Sequence, residues 1–176
     1  MQAPWLRDWL RVTPEGFERM VVGYLRSLKG NLQGFSVQHR TSLSGPDGEF
    51  ELDALARFEA LGAEFLVAVE CKHHRNPVKR ELVQVLRDKV RSLSLHKGML
   101  FSTGGFQKGA IEYAVSQRIA LVHLTEGGPI METKAYAAPA GPRREYDAFF
   151  VTLTENGNET YQFGNYDEVS TYLFGP

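Results

Sequence analysis

The residues best placed for chemistry are Asp53 and the pair Glu70 and Lys72, the latter ending the apolar run FLVAVECK. Side chains two apart on a strand share a face. A strand over Phe65–Lys72 would therefore present Glu70 and Lys72 together and turn Cys71 to the other side. Carboxylate oxygens are hard ligands that suit Mg²⁺, which takes one or two of them together with water and phosphate oxygens. A metal so held can polarise a phosphodiester, help form hydroxide and stabilise the leaving oxygen. A nearby lysine can orient the attacking water and offset developing charge. The residue types suit phosphodiester hydrolysis.

These groups need elements to hold them. Phe50–Phe58 alternates as a strand, with Phe50, Leu52, Ala54 and Ala56 on one face and Glu51, Asp53, Leu55 and Arg57 on the other. A turn at Leu61-Gly62 would return the chain into Phe65–Lys72 and set Asp53 opposite Glu70. Directly opposed side chains have Cβ atoms ~5 Å apart. Two carboxylates that close repel unless a cation or a shared proton lies between them. Glu51 shares Asp53's expected face and stays open as an alternative ligand.

Before this hairpin, Phe35–Leu43 reads as a strand, and Thr13-Pro14-Glu15 starts a helix as N-cap, first helical residue and acidic first turn. Phe17, Met20, Val21, Tyr24, Leu25 and Leu28 form that helix's apolar stripe, and Gly30 a stop. Glu18 lies about 100° round from Phe17. After it, a second helix spans about Val78–Leu95. Its buried stripe is Val78, Leu82, Val85, Leu86, Lys89/Val90 and Leu93, beside a mostly basic stripe of Arg80, Gln84, Arg87 and Arg91. A strand over Gly98–Ser102, a helix over Phe106–Gln117 and a strand over Ile119–Leu124 follow. That alternation favours parallel crossovers.

Apolar content of 43% with 23% charged residues is ordinary for a water-soluble domain. No apolar run approaches the ~18 residues of a membrane span, and the first residues lack the pattern of a signal peptide. One cysteine excludes an internal disulfide framework and a multi-cysteine zinc site, and the expected compartment is the cytoplasm. Net charge is −1, but its distribution is uneven. Residues 1–71 carry seven basic and ten acidic groups, residues 72–97 eight and two, and residues 126–176 three and eight. Positive charge is thus concentrated just after FLVAVECK, where it can steer a polyanion to one face.

The order of these features resembles the restriction-endonuclease-like PD-(D/E)XK superfamily, and most closely its Mrr-type branch. The features are Phe17-Glu18 on a helix, Asp53 on a strand, Glu70-Cys71-Lys72 ending an apolar strand, then helix, strand and Ser102-Thr103-Gly104-Gly105-Phe106. The resemblance covers about residues 13–125. It implies an α/β fold with a mixed central sheet flanked by helices. By it, Asp53 and Glu70 hold Mg²⁺ (or Mn²⁺ in its place), with the backbone carbonyl of Cys71 as an additional ligand, and Lys72 is the catalytic lysine. Glu18 would be the helix glutamate beside the site and Gln84 the helix glutamine after the motif. DNA is the implied partner, with Arg75, Lys79, Arg80, Arg87, Arg91 and Thr103 on its backbone.

Phosphate contacts carry little sequence information, so intrinsic specificity should be low. No DNA-reading domain is legible, which leaves recognition to a separate protein or domain; superfamily members often pair to cut both strands, so a homodimer is also implied. The alternative is a catalytically inactive nucleic-acid-binding or assembly module that keeps the fold. Adjacent His73 and His74 diverge on a strand and lack a third soft ligand, so solvent or phosphate contact is the reading for them.

Both ends lie outside the resemblance. Trp5, Leu6, Trp9 and Leu10 suggest a short amphipathic turn. Glu126-Gly127-Gly128-Pro129 marks the expected boundary between a catalytic core, residues 1–125, and a small β-rich extension, residues 126–176. The extension should hold strands over Phe149–Thr154 and Thr160–Phe163, a turn at Asn156-Gly157-Asn158, and a short helix over Tyr166–Leu173 capped by Asn165.

Overall fold

The computed structural model describes residues 12–30, 32–125, 128–133, 148–153 and 159–164. The turns expected at Trp5–Leu10 and Asn156–Asn158, and the helix expected over Tyr166–Leu173, lie outside these residues.

Helix α1 (Pro14–Ser27) begins as its sequence dictates: the Thr13 hydroxyl accepts the Gly16 N–H at 3.0 Å and Pro14 opens the first turn. Strands β1 (Gln33–Gly45), β2 (Gly48–Ala60) and β3 (Ala63–Lys72) form an antiparallel meander. Helix α2 (Arg80–Ser92) crosses to β4 (Lys97–Ser102), and α3 (Lys108–Gln117) to β5 (Ala120–Thr125). Strands β3, β4 and β5 are parallel neighbours, and the sheet keeps chain order from β1 to β6. The result is an α/β fold with a mixed sheet between helices.

Two apolar layers cover the sheet's opposite faces. Phe17, Met20, Val21 and Leu25 of α1 pack with Val37, Ala54, Val69, Cys71, Phe101 and Val122. Val83, Leu86 and Val90 of α2 and Ala110 and Ala114 of α3 pack with Leu52, Leu55, Ala68, Leu100 and Leu121. Val85, expected in the buried stripe of α2, is instead 52% exposed.

The boundary expected at residues 126–129 falls within the sheet. Strand β6 (Gly128–Thr133) pairs antiparallel with β5 and forms the sheet's edge. An edge strand tolerates a proline because one row of its N–H groups has no ladder partner. Strands β7 (Ala148–Leu153) and β8 (Glu159–Gly164) pair with each other as a separate two-stranded sheet.

The loop after Lys72 is locked to the loop after β4. Val78 N–H donates to Gly105, Gln107 N–H to Val78, and the Thr103 hydroxyl to the His74 carbonyl at 3.0 Å. Gly104 makes this approach feasible, since a Cβ there would stand 2.5 Å from the carbonyl oxygens of both His74 and Asn76. Gly104→Ala should therefore destabilise the protein by about 2–3 kcal/mol through backbone displacement. Urea unfolding monitored by circular dichroism would measure it.

Candidate active site

The β2–β3 register is the one the Leu61-Gly62 turn dictates: pairs run from Ala60↔Ala63 to Ala54↔Val69. Both turn residues have positive φ, 53° and 76°, as a two-residue hairpin turn requires. One further step would pair Asp53 with Glu70, but the ladder opens there. The Asp53 Oδ2 instead accepts the Cys71 N–H at 2.6 Å, so a side chain closes the place a backbone bond would occupy.

The alternation of β2 breaks at the same residue. Ala54 and Ala56 face the α1 layer, whereas Leu52, expected beside them, packs in the α2–α3 layer. On β1, Val37 likewise faces α1 while Leu43 packs against the opposite layer. Between them Arg40 adopts φ 47°, in the left-handed region. Such a conformation costs a non-glycine residue about 1 kcal/mol or more. Arg40 is held there by Glu18, whose Oε2 accepts from its Nε at 2.9 Å and lies 2.8 Å from His39 Nε2. Burial pushes the Glu18 carboxyl up, but Arg40 and His39 outweigh it and hold it below the usual carboxylate value.

Asp53 thus sits at the crossing of the two layers. Its carboxyl is raised above the usual value, chiefly by burial and then by the Glu70 carboxylate; the Cys71 N–H and Lys72 oppose that rise. Glu70 is buried on the α2 side of β3. Its Oε2 is 3.3 Å from Lys72 Nζ and its Oε1 is 2.6 Å from Lys89 Nζ. Lys89 also donates to the Glu51 carbonyl at 2.6 Å. The Glu51 side chain itself is exposed.

The structure therefore brings Asp53, Glu70 and Lys72 together, with Glu18 on the α1 side close enough to raise Asp53 further. Cys71 points its thiol into the α1 layer, where burial pushes it far up and keeps it protonated. His73 tilts against Phe17 with ring centroids 5.4 Å apart, and burial, then His74, lowers its pKa.

The basic stripe of α2 is not beside these carboxylates. Arg87 and Arg91 each lie two residues from Lys89, about 200° round the helix, and Gln84 about 140°. Arg80 lies over the Tyr113 ring at 4.9 Å and Arg87 donates to Gln117 at 3.3 Å, both on α3. Arg91 lines an open hollow with Asp47, Asp88 and Ser92. Arg75 and Lys79 are exposed on the loop after Lys72, and Thr103 is half-buried against His74. Long guanidinium stems cover apolar surface readily, so charge spacing alone did not reveal which way this stripe faces. Lys89 was the residue missed as a site group; its signal was a lysine at a position of the apolar stripe.

Among the described residues, no three His, Cys, Asp or Glu side chains converge as a metal cage. The donor set is two mutually repelling carboxylates, which fits a hydrated hard cation and not a zinc-type site.

Among curated proteins none matches the chain. The crystal structure of AF1548, a protein of unknown function, is similar at TM-score 0.47 and 17% identity; the match covers 59% of this chain and 56% of that one. The restriction endonuclease family Mrr_cat matches residues 9–126, the stretch from α1 to the end of β5. The chain belongs to that Mrr-type family of restriction endonucleases, and with it to the PD-(D/E)XK superfamily.

Proposed function

We propose that this protein is a metal-dependent endonuclease that hydrolyses DNA phosphodiester bonds. The observation that carries this reading is the convergence of Asp53, Glu70 and Lys72 at the point where the β2–β3 ladder opens. Asp53 and Glu70, with the Cys71 carbonyl, would hold Mg²⁺ or Mn²⁺, which supplies Lewis-acid stabilisation of the phosphate and an acidified water. Lys72, 27% exposed at its side chain, is the ammonium able to reach a phosphate oxygen or orient the attacking water. Asp53 is fixed by the Cys71 N–H, and Glu18 braces the neighbouring β1 segment through His39 and Arg40.

Arg75 and Lys79, exposed on the loop after Lys72, would contact the phosphate backbone, which positions DNA without reading bases. Cleavage of low intrinsic sequence specificity follows from such contacts, with a partner protein, a further domain or a second copy setting the site of attack. The test is nicking of supercoiled plasmid in Mg²⁺ by the wild type and by Lys72→Ala. Wild type should nick, and Lys72→Ala should lose about 10²–10⁴-fold in rate. Equal rates, or no nicking by the wild type with Mg²⁺ and Mn²⁺ on several DNA forms, would overturn the assignment.

A further inference from the structure

Lys89 lies outside the three-residue constellation, yet it makes the shortest ion pair of the site. Its ammonium is 2.6 Å from Glu70 Oε1 and 2.6 Å from the Glu51 carbonyl oxygen. Those acceptors stand on β3 and β2, the strands whose ladder stops at Ala54↔Val69. Lys89 therefore spans the opened end of the hairpin from the helix above it. Only 19% of its side chain and 9% of that of Glu70 is exposed, so the pair is poorly screened by water.

The charge count within this pocket is decisive. Asp53, Glu70 and the nearby Glu18 contribute three negative charges when ionised, and Lys72, Lys89 and Arg40 three positive ones. A divalent cation entering this balanced cluster would leave it with an excess of two positive charges. It must also compete with an ammonium already seated on a Glu70 oxygen. A phosphodiester anion arriving beside the lysines would reduce that excess.

We propose that Lys89 is a positioning residue and resident counterion of Glu70, which keeps metal affinity low in the DNA-free protein and couples metal loading to DNA. This inference rests on the metal-dependent reading above. The coupling is reciprocal: DNA that accepts the lysine charge tightens metal binding, and metal that takes Glu70 tightens DNA binding by the same factor. The lysine's aliphatic stem also explains why it occupies an apolar-stripe position, since its methylenes pack while its ammonium reaches the carboxylate.

The test measures metal directly, in DNA-free protein, by Mn²⁺ electron paramagnetic resonance and by Mg²⁺ calorimetry. Lys89→Met should bind Mn²⁺ at least about tenfold more tightly than wild type, because one like charge in a weakly screened pocket is removed. Lys89→Arg keeps the charge and should stay within about threefold of wild type. Should Lys89→Met fail to fold, Lys89→Gln, which retains a donor for the Glu51 carbonyl, replaces it. Wild type that binds Mn²⁺ with Lys89→Met unchanged or weaker overturns the Lys89 assignment alone. Equal tightening in Lys89→Arg and Lys89→Met also overturns it, since charge would then not be the cause. Absence of Mn²⁺ binding in every variant, with or without DNA, overturns the metal-dependent reading itself.

Discussion

Asp53→Asn should abolish plasmid nicking while making the metal-free protein more stable. The introduced amide's carbonyl oxygen can still accept the Cys71 N–H, so the local backbone bond survives. What disappears is a carboxylate raised by burial and by the Glu70 charge. A carboxyl raised in the folded state binds its proton more tightly there than in the unfolded chain. Its favourable contribution is therefore complete below the ordinary value of 3.8 and is lost as pH rises through the higher folded value. Above the folded value the wild type has lost that contribution, whereas the amide of the variant never titrates.

Partial hydration of Asp53 limits the effect, so a gain of about 1 kcal/mol, the ordinary scale of a single substitution, is expected. In thermal melts this is a rise of about 2–4 °C at neutral pH that shrinks towards pH 4. Mg²⁺ in large excess over its low DNA-free affinity should raise the melting temperature of the wild type and leave the variant unmoved. Nicking should fall by about a thousandfold or more. A variant less stable than wild type at pH 7 would contradict the electrostatic account of Asp53.

Glu70→Gln should lose activity to the same extent but change stability in the opposite direction. Glu70 is the shared acceptor of Lys72 and Lys89, and both ammoniums would be left facing a neutral amide in partly buried surroundings. Removing one partner of a buried pair typically costs about 3–5 kcal/mol. Relief of repulsion on Asp53 offsets part of this, so a loss of about 2–3 kcal/mol is expected, or about 5–10 °C in melting temperature. The two carboxylates of one site are thus distinguishable without any assay of cleavage. Matched melts of Asp53→Asn and Glu70→Gln that shift in the same direction would contradict the assignment of Lys89 and Lys72 to Glu70.

Much of this site is legible in the sequence. The Leu61-Gly62 turn and the two-residue period of the flanking strands gave the register that brings Asp53 to Glu70. Thr13, Pro14 and Phe17 placed α1, and with it Glu18. The crossing at Asp53 was not legible, because it depends on a left-handed Arg40, and arginine carries no signal for that conformation. Lys89 was hidden for the reverse reason: its spacing matched the apolar stripe, and only the tertiary packing shows that its charged end crosses to Glu70. Strand β6 was obscured by Gly128 and Pro129, which signal a break in chain direction as readily as an edge strand. The orientation of Arg80, Gln84, Arg87 and Arg91 depended on α3, whose position no local pattern specifies.

The change of face at Arg40 and Asp53 also partitions the hairpin's mutational landscape. Leu52 and Ala54 are near neighbours in sequence, yet one belongs to the α2–α3 layer and the other to the α1 layer. Substitutions at Leu52 should therefore show epistasis with Leu86 and Val90, and those at Ala54 and Ala56 with Phe17 and Val21. Asp53 lies on the seam between the two groups. Each layer is free to repack in evolution without the other, provided that neither shifts the seam.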